Sequence, residues 1–124
     1  MKKILFIFLS INLLIPNAQK AYSDELSGEY LDIYNEAIDL INDNKNTQAE
    51  KKCDEAIKLS PEEKMGYLCQ GIAKGFAKKP KKREALKSFA KVIEIDPEFY
   101  EAYYWRGVLQ FSMRRNHYSK LDRT

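Results

Sequence analysis

The residues that most often perform chemistry in proteins are scarce in this chain of 124 residues. It contains one histidine, His117, and two cysteines, Cys53 and Cys69, which are too few for a structural zinc site with four ligands. His117 follows two arginines, and we expect it to lie in a solvent-exposed turn. No glycine-rich phosphate loop, serine elbow or pair of acids at metal-binding spacing occurs in the sequence. The sequence therefore predicts that the protein is not an enzyme and that it binds no cofactor and no metal.

The N-terminal residues predict an export signal. Two lysines follow Met1, and ten of the twelve side chains in residues 4–15 are apolar. As a helix this apolar run is about 18 Å long, which is too short for a bilayer core of about 30 Å. The small residues Ala21 and Ser23 favour cleavage after one of them. We expect residues 1–23 to be the secretory signal peptide of a bacterial protein, periplasmic or secreted, with no membrane insertion after cleavage. A buried first helix is the alternative.

The charge distribution argues against nucleic acid as a partner. The chain has 21 basic and 18 acidic side chains, and the predicted signal peptide holds three of the lysines and no acid, so the rest of the chain is neutral. A nucleic-acid-binding domain needs a basic face. Residues 24–60 carry a net charge of −6 and residues 61–124 carry +6. Such a dipole could orient a protein partner or steer head-to-tail association.

Several residue types recur at a spacing of 36: Ala49 and Ala85, Pro61 and Pro97, Gly71 and Gly107. Amphipathic spacing of apolar residues between these positions is typical of helices, and polar turns separate the apolar segments. The pattern predicts an all-α protein with helices near residues 26–41, 48–59, 62–77, 83–95, 98–113 and 118–123. We expect Thr47, Ser60 and Asp96 to begin three of these helices as caps.

The two cysteines fall on consecutive predicted helices, which should run antiparallel around a turn near residues 60–63. Counting outward from that turn brings Cys53 and Cys69 within about one helical turn of each other. A disulfide is one interpretation, since an oxidising compartment would permit it. Two buried free thiols are the other, because cysteine packs well as a small apolar residue.

The last two repeats carry a recognisable pattern. Residues 85–97, ALKSFAKVIEIDP, and residues 102–107, AYYWRG, together resemble the tetratricopeptide repeat family. In that family a small residue, here Gly71 or Gly107, lets the first helix of a unit approach its neighbour closely. The resemblance implies an all-α fold in which helix-turn-helix repeats form a short right-handed solenoid.

The same resemblance divides the chain into repeats. About two and a half units of 36 residues would fill a domain at residues 24–124, with a third unit that is incomplete. The units would lie at about residues 29–61, 65–97 and 101–124.

The resemblance also implies a function, because the first helices of such units form a concave surface that binds other polypeptides. The corresponding residues, which we expect to bind a partner, are Asp32, Glu36, Leu68, Ile72, Phe76, Tyr104, Val108 and Phe111. We therefore predict an exported protein-protein interaction module, an adaptor or scaffold that binds another protein or peptide. The alternative is a self-associating structural protein, a homo-oligomer that uses the incomplete C-terminal unit.

Overall fold

The computed structural model describes residues 28–123, so the predicted signal peptide lies outside the described residues. The described chain forms five α-helices: α1 Gly28–Asn42, α2 Asn46–Leu59, α3 Lys64–Gly75, α4 Lys82–Ile95 and α5 Tyr100–Leu121. No strand occurs between residues 28 and 123, and the prediction of an all-α protein is confirmed for this part of the chain. Each helix packs against the next one, and α1 and α5 also contact α3.

The spacing of 36 residues recurs in the structure. α1, α3 and α5 begin 36 residues apart, and α4 begins and ends 36 residues after α2. Fully buried side chains follow the same spacing: Ala37, Ala73 and Leu109, Ala49 and Ala85, Ala56 and Val92. The Tyr67 hydroxyl donates to the Pro61 carbonyl at 2.8 Å, and the Tyr103 hydroxyl donates to the Pro97 carbonyl at 2.7 Å. The sequence repeat is therefore also a structural repeat.

The two halves of the fold are filled by side chains of different size. The cluster between α1, α2 and α3 contains only alanines and cysteines among its fully buried members: Ala37, Ala49, Cys53, Cys69 and Ala73. Cys53 and Cys69 form a disulfide, with their Cα atoms 5.8 Å apart. The cluster between α3, α4 and α5 contains larger residues, among them Phe89, Val92 and Leu109. Cys53 holds the repeat position of Phe89, so the disulfide occupies the place that an aromatic ring fills in the second half.

Polar side chains of α3 connect the helices on either side of it. The Gln70 amide donates to the Asp54 carboxylate of α2 at 2.7 Å and accepts from the Ser88 hydroxyl of α4 at 2.8 Å. One turn along, the Lys74 ammonium lies 3.3 Å from the Glu84 carboxylate of α4. These bonds therefore tie α3 to the helices on both sides of it.

The C-terminal helix differs from its prediction. α5 is one helix of 22 residues that continues to Leu121, whereas the sequence predicted an end near residue 113 and a separate short helix at 118–123. His117 therefore lies within α5 and not in a turn. The polar run around Arg114 and Arg115 suggested a turn, but it contains no glycine or proline that would stop a helix.

Three predicted helix caps are also wrong, by two or three residues. α2 begins at Asn46 with Lys45 as its cap, so Thr47 is already helical. The Ser60 and Asp96 segments form turns, after which α3 begins at Lys64 and α5 at Tyr100. The Glu63 side chain caps α3 by accepting from the Met65 amide. Pro61 and Pro97 lie in these turns and not in the helices. The Glu63 amide donates to the Ser60 carbonyl, and the Phe99 amide donates to the Asp96 carbonyl, so each segment forms a turn before the helix begins.

Candidate protein-interaction surface

The acidic residues predicted to bind a partner are exposed on α1. Asp32 and Glu36 lie one turn apart on this helix. The Glu36 carboxylate forms an ion pair with the Lys52 ammonium of α2 at 3.2 Å, and Lys52 also contacts Glu55 at 3.3 Å. Hydrogen bonds to Glu36 and then to Glu55 raise the pKa of Lys52. Asp32 forms no ion pair with another residue in 28–123, so its charge is the one more accessible to a partner.

Three aromatic side chains form a cluster where α3 ends beside α5. The rings of Phe76 and Trp105 meet edge to face with centroids 5.5 Å apart, and Tyr104 meets Trp105 in the same way at 5.3 Å. Phe76 is 38% exposed and Tyr104 is 62% exposed, while Trp105 packs against the core. We call Phe76, Tyr104 and Trp105 the aromatic cluster. Edge-to-face rings hold one another in place, so the cluster presents a firm apolar surface to solvent.

Leu68 is a correction to the predicted surface. It is 6% exposed and belongs to the core cluster that joins α3 to α4 and α5. Ile72, one turn along α3, is half-buried and packs against the same core. Trp105 packs against the same core cluster, so Leu68 and Ile72 belong to the apolar interior on which the aromatic cluster rests. A partner would therefore not reach Leu68 in this arrangement.

The predicted residues of α5 divide between two places. Val108 is half-buried one turn after Tyr104. Phe111, which is 68% exposed, lines an open cleft of about 510 Å³. The other residues that line this cleft are Leu86, Gly107, Gln110, Met113 and Arg114. The structure thus separates Phe111 from the aromatic cluster and assigns it to a second surface between α4 and α5.

Two contributors to these surfaces were absent from the predicted set. Trp105 is the ring on which both exposed members of the aromatic cluster rest. Its position directly after Tyr104 was the available signal. Leu86 of α4 lines the cleft, and only the packing of α4 beside α5 could place it there.

Two tyrosines of α1 have perturbed phenol groups. Burial, followed by the charge of Glu63, raises the pKa values of Tyr30 and Tyr34, which keeps both phenols neutral at physiological pH. Residues 28–123 contain no group of three or more histidine, cysteine or acidic side chains that could hold a metal ion. Within the same residues, no helix is both long and apolar enough to span a membrane.

Comparisons with protein-family models, with curated proteins and with solved structures give no significant match for this chain.

Proposed function

We propose that this protein is an exported, tetratricopeptide-like interaction module that binds a polypeptide segment of another protein. In this proposal residues 1–23 direct export, and the helix pairs stack as a short solenoid. α1, α3 and α5 then form the binding face. The protein acts as an adaptor or scaffold, not as an enzyme.

The aromatic cluster is the observation that carries the proposal. Large aromatic side chains are enriched at the energetic centres of protein interfaces, and two of the three rings here face solvent. The rings rest on Trp105, which itself packs on the core, so binding would require little ordering of the surface. Pre-organisation of this kind strengthens binding because fewer rotamers are lost.

The charge of α1 suggests how a bound segment would be oriented. Asp32 is exposed at the acidic end of the proposed face, and Phe76 and Tyr104 form its apolar end. We expect a ligand that places an apolar side chain on the aromatic cluster and a lysine or arginine near Asp32. The apolar contact would supply most of the affinity, whereas the exposed acid would act mainly on association rate and orientation.

Selection of peptides from a random library against the immobilised protein tests this function. Selected peptides should combine apolar and basic residues. The double variant Phe76→Ser with Tyr104→Ser should weaken their binding by about tenfold or more, because two exposed anchor rings are removed. Leu59→Ser is the matched control, since Leu59 is 44% exposed at the end of α2. Equal binding by the double variant and the control, with unchanged helix content, would contradict the proposal.

Export is tested separately by mass spectrometry of the protein from its native host. The N-terminus should lie at Tyr22 or Asp24, after one of the small residues that favour cleavage. An intact Met1 on soluble cytoplasmic protein would rule the signal peptide out.

A further inference from the structure

One face of α5 carries a row of exposed aromatic side chains. Tyr100, Tyr103, Gly107, Phe111 and Tyr118 are spaced by three, four, four and seven residues, which places them on one side of the helix. The four rings are 73%, 41%, 68% and 62% exposed, in chain order. We call these five residues the α5 stripe. The opposite side of α5, with Ala102 and Leu109, is the side that packs on the core.

Gly107, at the centre of the stripe, has open space over its backbone, whereas Gly71, the equivalent glycine of α3, does not. A Cβ atom built on Gly71 would lie 2.5 to 2.9 Å from the Phe89 ring, so that ring of α4 lies directly on the α3 backbone. A Cβ built on Gly107, 36 residues later, meets no atom of the described chain within 4 Å. The backbone at Gly107 therefore has room for an aromatic ring, as the backbone at Gly71 does, and no side chain of residues 28–123 occupies that space. We call the space over each of these two glycines its seat.

The apolar area of the stripe matches what a stable interface needs. With 150–250 Å² for each aromatic side chain, the four exposed rings present about 350–600 Å². A typical interface buries about 800 Å² on each partner, of which about 60% is apolar, or roughly 500 Å². An exposed patch of this size is at the upper end of what monomeric proteins show.

The charges of α5 specify the direction of a partner helix. Glu98 is exposed just before the N-terminal end of α5, and Arg114 and Arg115 are exposed in its second half, on or beside the stripe. Two copies of α5 packed antiparallel would bring each acidic end against a basic end. A parallel pair would place like charges together, which is unfavourable.

We propose that two copies of this protein associate through antiparallel α5 helices, with Phe111 of each copy seated on Gly107 of the other. When the helices are centred midway between these two residues, Tyr100 of one copy also lies opposite Tyr118 of the other. The contact is self-complementary, as a two-fold interface requires. It does not use Phe76 or Trp105, but Tyr104 lies one turn after Tyr100 on the same side of α5, so the dimer would cover part of the polypeptide-binding face.

Sedimentation of the purified protein over a range of concentrations tests the association. The full chain and a chain that starts at Asp24 should both convert from monomer to dimer, with a dissociation constant in the micromolar range typical of modest interfaces. A monomer at every concentration would overturn the proposal. So would dimerisation of the full chain alone, because the apolar residues 4–15 would then be responsible, and so would open-ended growth beyond the dimer.

Gly107→Lys tests the seat at the centre of the interface. The new side chain enters open space in the monomer, so the variant should fold normally while its dimer dissociation constant rises about thirtyfold or more. Gly28→Lys is the matched control, because a Cβ at Gly28 also meets nothing within 4 Å. Phe111→Ser, at an exposed position, should weaken the dimer to a similar extent. Normal dimerisation of both Gly107→Lys and Phe111→Ser would overturn the proposal.

The direction of the helices is tested by a spin label at Asp122→Cys, one turn after Tyr118 on the stripe side of the helix. In the antiparallel arrangement the two labelled backbones lie about 39 Å apart, from a rise of 1.5 Å for each residue. A parallel pair would bring them within about 10 Å, the usual distance between packed helices. A distance near 10 Å would overturn the antiparallel geometry. The Phe76→Ser variant should retain the long distance, because the contact does not use Phe76.

Discussion

The α3 and α5 helices hold equivalent positions in the repeat, yet their outer faces differ. On α3 the backbone of Gly71 is covered by the Phe89 ring of α4, which is fully buried. On α5 the space over Gly107 is open, and the rings beside it face solvent. The difference shows that a small residue in the repeat creates a seat for a ring. On α3 the ring comes from the next helix, α4. α5 instead continues as one helix to Leu121, ten residues past the position equivalent to the end of α3.

The largest expected effect comes from removing the ring that fills the seat on α3. Phe89→Ala should lower the free energy of unfolding by about 3–5 kcal/mol, because it deletes a fully buried aromatic side chain. Phe111→Ala, at the open seat, should change the stability of the monomer by less than about 0.5 kcal/mol. Urea unfolding at low protein concentration measures both values. Similar losses for the two variants would mean that Phe111 is core.

Removing the disulfide should have the next largest effect and should sharpen the contrast between the two halves. Cys53 and Cys69 are separated by 16 residues, and a loop of that size is stabilised by about 3 kcal/mol when it is closed. Reduction should therefore destabilise mainly the alanine-rich half. Titration of the denatured, unreduced protein with a thiol reagent should find no free thiol, and two thiols for each chain would exclude the bond.

Substitution of Gly71 and of Gly107 by alanine should change the free energy of unfolding by smaller amounts, and in opposite directions. Gly71→Ala should destabilise the protein by about 1–3 kcal/mol, because its Cβ would collide with the Phe89 ring in a packed core. Gly107→Ala should stabilise it by about 0.5–1 kcal/mol, because alanine is the better helix former and nothing obstructs it. Thermal and urea unfolding under dilute conditions distinguish the signs. Two losses would show that the Gly107 face is covered in the monomer.

The smallest effect concerns the two equivalent turns, where Ser60 corresponds to Asp96. The hydrogen bond from Lys64 at 2.6 Å holds the pKa of Asp96 below its usual value. The resulting stabilisation is present above about pH 4, the usual pKa of an unfolded aspartate, and disappears as the pH falls through the folded-state pKa. Asp96→Ser, which reproduces the first turn, should therefore lose stability at pH 6 but not at pH 2. The same loss of stability at both pH values would mean that Asp96 stabilises the turn through its conformation and not through its charge.

The regular part of the fold could be predicted from the sequence. The spacing of 36 residues and the apolar pattern predicted the five helices of the structure, because local periodicity determines such segments, but they also predicted a separate sixth helix at residues 118–123. The same pattern brought Cys53 and Cys69 close together on antiparallel helices. The ends of the helices were less predictable. Serine or aspartate before proline indicated a helix start, but the chain makes one additional turn before α3 and α5 begin.

The exposed surfaces were predicted only in part, because exposure depends on how helices pack. Asp32 and Phe76 are accessible, whereas Leu68 is buried in the cluster that α3 shares with α4 and α5. Tyr104 and Phe111 were both predicted to bind a partner, yet the cleft at Phe111 is also formed by Leu86 of α4. A single helix pattern contains no information about the neighbour that completes such a cleft.

The location of the disulfide has a consequence for cooperativity. In repeat proteins each unit is stabilised mainly by contacts with its neighbours, so a weak interface can let one part unfold before the rest. The Cys53–Cys69 bond crosses from α2 to α3, which is the junction between the first helix pair and the larger core. While it is intact, the alanine-rich pair cannot separate fully from α3, and the chain should melt as one unit. After reduction we expect two transitions, with α1 and α2 lost first.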